Sequence, residues 1–78
     1  MKEFVEYVAR SLVDNPDAVS VEVEEEDETL YIVLNVDEGD MGRVIGRDGR
    51  IANAIRSLLR VMAARDGRHV ELEIESDE

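Results

Sequence analysis

The 78-residue chain contains no cysteine, no tryptophan, one proline, one histidine and three other aromatic residues. Without cysteine it forms neither a disulfide nor a thiolate metal site, and a single histidine cannot make a histidine-rich metal site. It also lacks the run of about 18 apolar residues that a membrane-spanning helix needs, and the usual start of a signal peptide. These absences predict a cytoplasmic, non-catalytic protein without metal, cofactor, small-molecule substrate or membrane partner.

Positive charge is scarce and is confined to one part of the chain. The 9 Lys and Arg residues face 20 Asp and Glu residues, so the net charge is −11. Residues 43–68 hold seven arginines and two acidic residues, a balance of +5, and the remainder holds 2 basic against 18 acidic residues, a balance of −16. A uniformly acidic chain would repel nucleic acid. The clustered arginines therefore predict one local surface that binds an anionic partner.

Hydrophobic periodicity predicts the element order α-β-β-α-α-β in a single domain that spans residues 1–78. Pro16 and Gly67 are expected to mark the ends of the first and last helices, and Asp40 to cap the short helix. We expect a two-layer α+β sandwich in which three helices cover one face of a three-stranded sheet and glutamates line the other face. The predicted elements are a helix over 2–13, strands over 19–23 and 29–36 joined by an acidic connection at 24–28, helices over 41–45 and 50–65, a strand over 70–75, and a polar tail at 76–78.

The helix over 50–65 has an apolar arc wider than one side of a small sheet requires. Its centre predicts the core-facing residues, which are Ile51, Ala54, Ile55, Leu58, Val61 and Met62. The residues beside that centre are candidates for an exposed protein interface, namely Ala52, Leu59 and Ala63. The alternative is that the first helix covers them.

The segment Ile45-Gly46-Arg47-Asp48-Gly49-Arg50 joins the short helix to the long one. Two glycines three residues apart permit a tight turn and a close backbone approach. A helix N-terminus follows directly, with unpaired N–H groups and a positive dipole end. Together with the nearby arginines, these features can hold a sugar–phosphate backbone. The alternative is a plain corner between two helices, which does not explain why the arginines gather there.

This segment resembles the G-x-x-G signature of KH domains, which hold about four nucleotides. The element order is that of the type II KH fold, and the chain is similar in size and in residues 42–64 to the bacterial single-KH proteins of the KhpA family. The resemblance implies that Gly46, Arg47, Asp48 and Gly49 form the clamp. It implies an adjacent apolar groove, shared in part with the core, made by Val44, Ile45, Ile51 and Ile55.

Charge and position add Arg43 and Arg50 to the predicted RNA-binding residues. Asp48 departs from the basic residues common in such loops, and it could cap the following helix. The resemblance implies a non-catalytic protein that binds single-stranded RNA, as a homodimer or with a larger KH-containing partner of the KhpB (Jag) type, in RNA regulation or chaperoning. The alternative is a KH-fold protein-interaction module with little RNA affinity, which Asp48 and the net charge favour.

Overall fold

The structure, a computed structural model, describes residues 1–77, with side chains through Ser76. It confirms the predicted order and the α+β class. In that part of the chain no helix is both long enough and apolar enough to cross a membrane. The cytoplasmic location stays a prediction. The helices and strands are α1 Lys2–Leu12, β1 Ser20–Glu26, β2 Thr29–Asp37, α2 Met41–Ile45, α3 Arg50–Arg65 and β3 His69–Asp77, with single 3-10 turns at Pro16–Ala18, Glu38–Asp40 and Arg47–Gly49.

The sheet has β2 in its centre, paired antiparallel with β1 and parallel with β3. The hairpin connection is shorter than predicted, because β1 continues to Glu26 and only Asp27 and Glu28 turn the chain. Exposed carboxylates do not prevent a backbone from pairing, and Asp27 adopts the left-handed conformation (φ 56°) that such a turn favours. The predicted tail begins inside β3, since Ser76 pairs with Val36. Its last residue, Glu78, lies outside the described residues.

The helices lie on one face of the sheet, with α1 over β1, α3 over β3 and α2 between the two helices. Strand alternation sends every second side chain toward the helices, so one apolar layer forms between sheet and helices. The fully buried larger side chains in this layer are Ile32, Leu34, Leu59, Val5, Val36 and Val44. The opposite face of the sheet carries no helix in the described part of the chain.

The prediction of which side of α3 faces the sheet is wrong. The residues predicted as its exposed interface, Ala52, Leu59 and Ala63, are buried against the sheet. Three residues predicted for the core are exposed, namely Ala54, Leu58 at 53% and Val61 at 58%. The helix is thus rotated by about 100°, one residue position, from the predicted orientation. The small side chains of Ala52 and Ala63 allow close packing on the sheet, whereas the prediction favoured the larger apolar residues.

Asp40 does not cap α2 with its side chain. Its carboxylate is 3% exposed and accepts hydrogen bonds from the backbone N–H groups of Asp14 and Asn15, each at 3.1 Å. These N–H groups follow the end of α1, where the chain leaves the helix. A buried carboxylate needs such partners, because burial without them is costly. Asp40 therefore joins the end of α1 to the start of α2.

Candidate nucleic-acid interface

The loop between α2 and α3 is a single tight turn held by its own backbone. The N–H of Gly46 donates to the carbonyl of Gly42 at 2.9 Å, and the N–H of Gly49 donates to the carbonyl of Gly46 at 3.2 Å. Gly46, Asp48 and Gly49 all have positive φ, at 77°, 57° and 76°. With ψ at 174°, Gly46 occupies a region that is essentially restricted to glycine.

Gly46 is also required by close packing. A Cβ at this position would lie 2.7 Å from Cγ1 of Ile51 and 3.0 Å from its backbone nitrogen. A Cβ at Gly49 would meet only Nδ2 of Asn53, at 3.6 Å, which is ordinary contact. The first glycine thus lets α2 end directly against the first turn of α3, while the second mainly supplies its backbone conformation.

Three charged side chains of the loop project into solvent: Arg47, Asp48 and Arg50 are exposed. Neither arginine takes part in the ion pairs that the described residues form. Asp48 does not cap α3, because Gly49 occupies the capping position and no side chain caps that end. Asp is among the few residues that tolerate a left-handed conformation, and position 48 has that conformation. The backbone geometry therefore explains why an aspartate can stand at this position.

Arg43 is engaged by carboxylates. Its Nη2 lies 2.6 Å from Oδ2 of Asp14, and its Nε lies 3.4 Å from Oδ1 of Asp40. The hydrogen bond to Asp14 and that residue's charge raise the pKa of Arg43 above its usual value. Its part in RNA binding stays a prediction, and these contacts argue for a structural role instead.

The four apolar residues predicted for the groove divide into two pairs. Val44 and Ile55 are buried at 0% and 4% exposure, so their side chains serve the core and are not available to RNA at the surface. Ile45 and Ile51 are half-buried beside the loop. Val44 and Ile55 are therefore the part of the predicted groove that is shared with the core, and Ile45 and Ile51 are the part that lies beside the loop.

Arg56 was not predicted as a site residue, yet it extends the loop surface toward the sheet. Its Nη2 donates to the carbonyl of Leu72 at 3.3 Å, and its Nη1 donates to Oδ1 of Asn53 at 3.3 Å. Asn53 in turn lies beside Gly49. One flank of α3 thus leads from the loop to the free edge of β3. The sequence signal that could have found Arg56 is its place among the seven arginines of residues 43–68.

The opposite flank of α3 is apolar and exposed. It is formed by Ala54, Leu58 and Val61, which the structure places in solvent. At 100° per residue these side chains point about 140–160° away from Arg56. The helix therefore presents a polar flank toward β3 and an apolar flank on its other side.

A G-x-x-G loop between two helices, packed on a three-stranded sheet in the order α-β-β-α-α-β, defines a KH domain of type II. The family model described as "KhpA/KhpB, KH domain" matches residues 2–74. The chain belongs to this family.

Similar curated proteins are named RNA-binding protein KhpA. The one from Borreliella burgdorferi is 46% identical over 72 residues, which cover 92% of this chain and 88% of the relative. The one from Halalkalibacterium halodurans is 45% identical over 74 residues, which cover 95% and 97%. The one from Aquifex aeolicus is 45% identical and covers 95% and 94%. These names describe a non-catalytic function.

Two solved structures share the fold with part of a longer chain. A variant of Aquifex aeolicus Era bound to GDP and AlF4− has a TM-score of 0.63 at 23% identity, over 97% of this chain and 30% of that chain. Era in complex with MgGDPNP and nucleotides 1506–1542 of 16S ribosomal RNA has a TM-score of 0.56 at 26% identity, over 96% and 29%. This chain therefore corresponds to less than a third of either Era chain.

Proposed function

We propose that this protein binds single-stranded RNA through the loop Gly46–Gly49 and the first turn of α3. The observation that carries the proposal is the loop itself, in which glycine-specific backbone geometry presents two unpaired arginines at a helix N-terminus. Such an end favours phosphate because of its free N–H groups and its dipole. The names of the KhpA relatives and the RNA bound to Era support this assignment.

The exposed positions suggest a path for the nucleotides. Arg47 and Arg50 would contact phosphates, and the half-buried side chains of Ile45 and Ile51 would offer an apolar surface to the bases. From there the polar flank of α3 continues through Asn53 and Arg56 to the edge of β3. Arg43 is left out of this path, because two carboxylates already hold it.

The test compares Arg47→Asp with a matched control on a labelled 12-nucleotide RNA, measured by fluorescence anisotropy. Reversing the charge should weaken binding by about tenfold or more, since a hydrogen bond to a charged group contributes about 1.5–3 kcal/mol. Arg65→Asp makes the same change in net charge at the far end of α3, about 22 Å away, and should have a much smaller effect.

The salt dependence of RNA binding provides a second, independent test of the phosphate contacts. Two arginines on single-stranded phosphates predict a log–log slope of about −1.4. Equal losses in Arg47→Asp and Arg65→Asp would show that the loop has no special role. Absence of binding by the wild-type protein at high micromolar concentration would instead support the interaction-module alternative.

We also propose that a second KH-containing chain packs on the apolar flank of α3. This partner would be another copy of the protein or a larger KhpB-type chain. Leu58 and Val61 are more than half exposed in the middle of a helix, and adjacent apolar residues of this kind mark contact surfaces. This surface replaces Ala52, Leu59 and Ala63, which are buried.

Sedimentation velocity tests the copy–copy form of this proposal. Leu58→Glu should convert a dimer to a monomer, because it places a charge in an apolar contact. Arg60→Glu introduces a carboxylate at an exposed position about 160° round the helix from Leu58 and about 100° from Val61, and it should leave the dimer intact. A dimer that survives Leu58→Glu would remove this flank as the pairing surface.

A further inference from the structure

The open face of the sheet has an apolar centre between two columns of carboxylates. Tyr31 and Val33 stand on this face of the central strand, and the ring-bearing side chain of Tyr31 is 41% exposed. The pairing register places Tyr31 between Glu24 and Glu71. It likewise places Val33 between two glutamates, Glu22 of β1 and Glu73 of β3.

Two shallow hollows lie on either side of this centre. One, of about 290 Å³, is lined by Tyr31 and the glutamates of β1 at positions 24–26. The other, of about 260 Å³, lies between Tyr31, Val33 and the glutamates of β3, Glu71 and Glu73. Tyr31 thus lines both depressions, and glutamates contribute to the lining of each.

None of the carboxylates on this face is neutralised by a basic side chain of the described residues. The ion pairs of the described residues join Arg10 to Glu6, Arg43 to two aspartates, and Arg68 to Glu25. Glu25 pairs with the buried Leu30, so its side chain belongs to the other side of β1. Like charges about 6.6–7 Å apart along each column repel each other. A cationic partner would relieve that repulsion. In the described part of the chain no three acidic side chains converge to hold a metal ion, so the complementary cation is an extended one.

We propose that this open face is a docking surface for an extended, arginine-rich segment of another protein. Neighbouring strands lie about 4.8 Å apart, so the two carboxylate columns are about 10 Å apart, on either side of Tyr31. Side chains two residues apart in an extended segment repeat at about 6.6–7 Å, which matches the spacing of glutamates along each column. A guanidinium can stack on the tyrosine ring while its neighbours reach the carboxylates. RNA and anionic membranes are excluded by charge, and the proposal does not depend on RNA binding.

The probe is a fluorescein-labelled decapeptide of alternating arginine and serine, and its binding is measured by anisotropy in 50 mM and 300 mM salt. Glu71→Gln combined with Glu73→Gln removes two charges from one column and should weaken binding about fivefold at the lower salt concentration. The matched control, Glu3→Gln combined with Glu38→Gln, removes two exposed charges from α1 and from the turn before α2. It should change binding less than twofold.

Tyr31→Ser measures the contribution of the ring to peptide binding separately from that of the carboxylates. It keeps the net charge and should weaken binding about threefold through the lost stacking. Circular dichroism establishes that each variant remains folded. Equal losses in the two glutamate pairs would overturn the proposal, because they would show general attraction to an acidic protein. It would also be overturned if the Glu71 and Glu73 variant, rather than Leu58→Glu, abolished a dimer, since a second copy would then occupy the face.

Discussion

Acidic residues have different surroundings near the loop and on the open sheet face of this small protein. Around the loop, Asp40 is buried with two backbone donors, and Arg43 holds both Asp14 and Asp40. On the sheet face, by contrast, the glutamates lie in columns with no basic neighbour in the described structure. Asp14 and Asp40 are thus structural elements beside the loop, whereas the glutamates of the sheet face are surface charges available to a partner. The net charge of −11 describes neither region.

The difference in charge between the two regions also affects how RNA is expected to bind. Arg47 and Arg50 are exposed and unpaired, and they lie on the helical side of a molecule whose other side is acidic. The acidic face repels RNA at a distance, but ions at 0.15 M screen charges beyond about 8 Å. The protein is therefore expected to bind RNA by direct contact at the loop, with little long-range attraction.

The largest difference between the two regions should appear in stability. Asp40→Asn replaces one carboxylate oxygen by an NH2 group, which faces a backbone N–H instead of accepting from it, and removes the charge that faces Arg43. We expect the free energy of unfolding to fall by about 2–3 kcal/mol, the cost of a buried donor without a partner and a broken charged contact. Urea unfolding followed by circular dichroism measures it.

Glu73→Gln is the matched change on the sheet face. It also replaces a carboxylate by an amide, but it removes repulsion instead of a partner, so the protein should become more stable by at most about 0.5 kcal/mol. If Asp40→Asn and Glu73→Gln shifted the midpoint in the same direction by the same amount, the distinction between structural and surface carboxylates would be lost.

After Asp40→Asn, the next largest loss of stability is expected at the two glycines of the loop, which differ in packing and in backbone conformation. Gly46→Ala combines a glycine-only conformation with a Cβ 2.7 Å from Ile51, and we expect a loss of about 2 kcal/mol in stability together with weaker RNA binding. Gly49→Ala meets only ordinary contact in the left-handed region and should cost about 1 kcal/mol. Urea unfolding and anisotropy on each variant test this order, and a larger loss in Gly49→Ala would contradict it.

Features determined by neighbouring residues could be predicted from the sequence. The end of α3 is an example, because Gly67 has a φ of 70° and its N–H and that of Arg68 close the helix on Ala64 and Ala63. Strand alternation likewise predicts the glutamates on the open face. The loop belongs to the same group, since its two glycines and arginines lie within a few residues of one another.

Features that depend on distant contacts could not be predicted. The partners of Asp40 are about 25 residues away in the sequence, so a local reading assigned it to the nearest helix. Arg56 meets Leu72 only because α3 lies over β3. The prediction of the orientation of α3 was wrong for a related reason. A wide apolar arc fits the sheet in more than one rotation, and close packing favoured Ala52 and Ala63 over the larger Leu58 and Val61.

The smallest expected effect on RNA binding concerns Asp48, the acidic residue that lies in the positive region without a structural role. Asn tolerates the left-handed conformation at φ 57°, so Asp48→Asn should preserve the loop while removing a negative charge beside Arg47. One unit charge within several ångströms of a phosphate in water corresponds to about 0.5–1 kcal/mol, so RNA affinity should rise about two- to fivefold in low salt.

Asp66→Asn supplies the control for this prediction, because it is the other acidic residue of 43–68 and lies at the opposite end of α3. It makes the same change in net charge and should alter the affinity much less, since its distance from the loop exceeds the screening length at physiological salt. Equal gains in both variants would mean that RNA responds to the total charge of the protein. A gain confined to Asp48→Asn would mean that this carboxylate limits affinity from within the clamp, at a position where the backbone conformation narrows the choice to Gly, Asn or Asp.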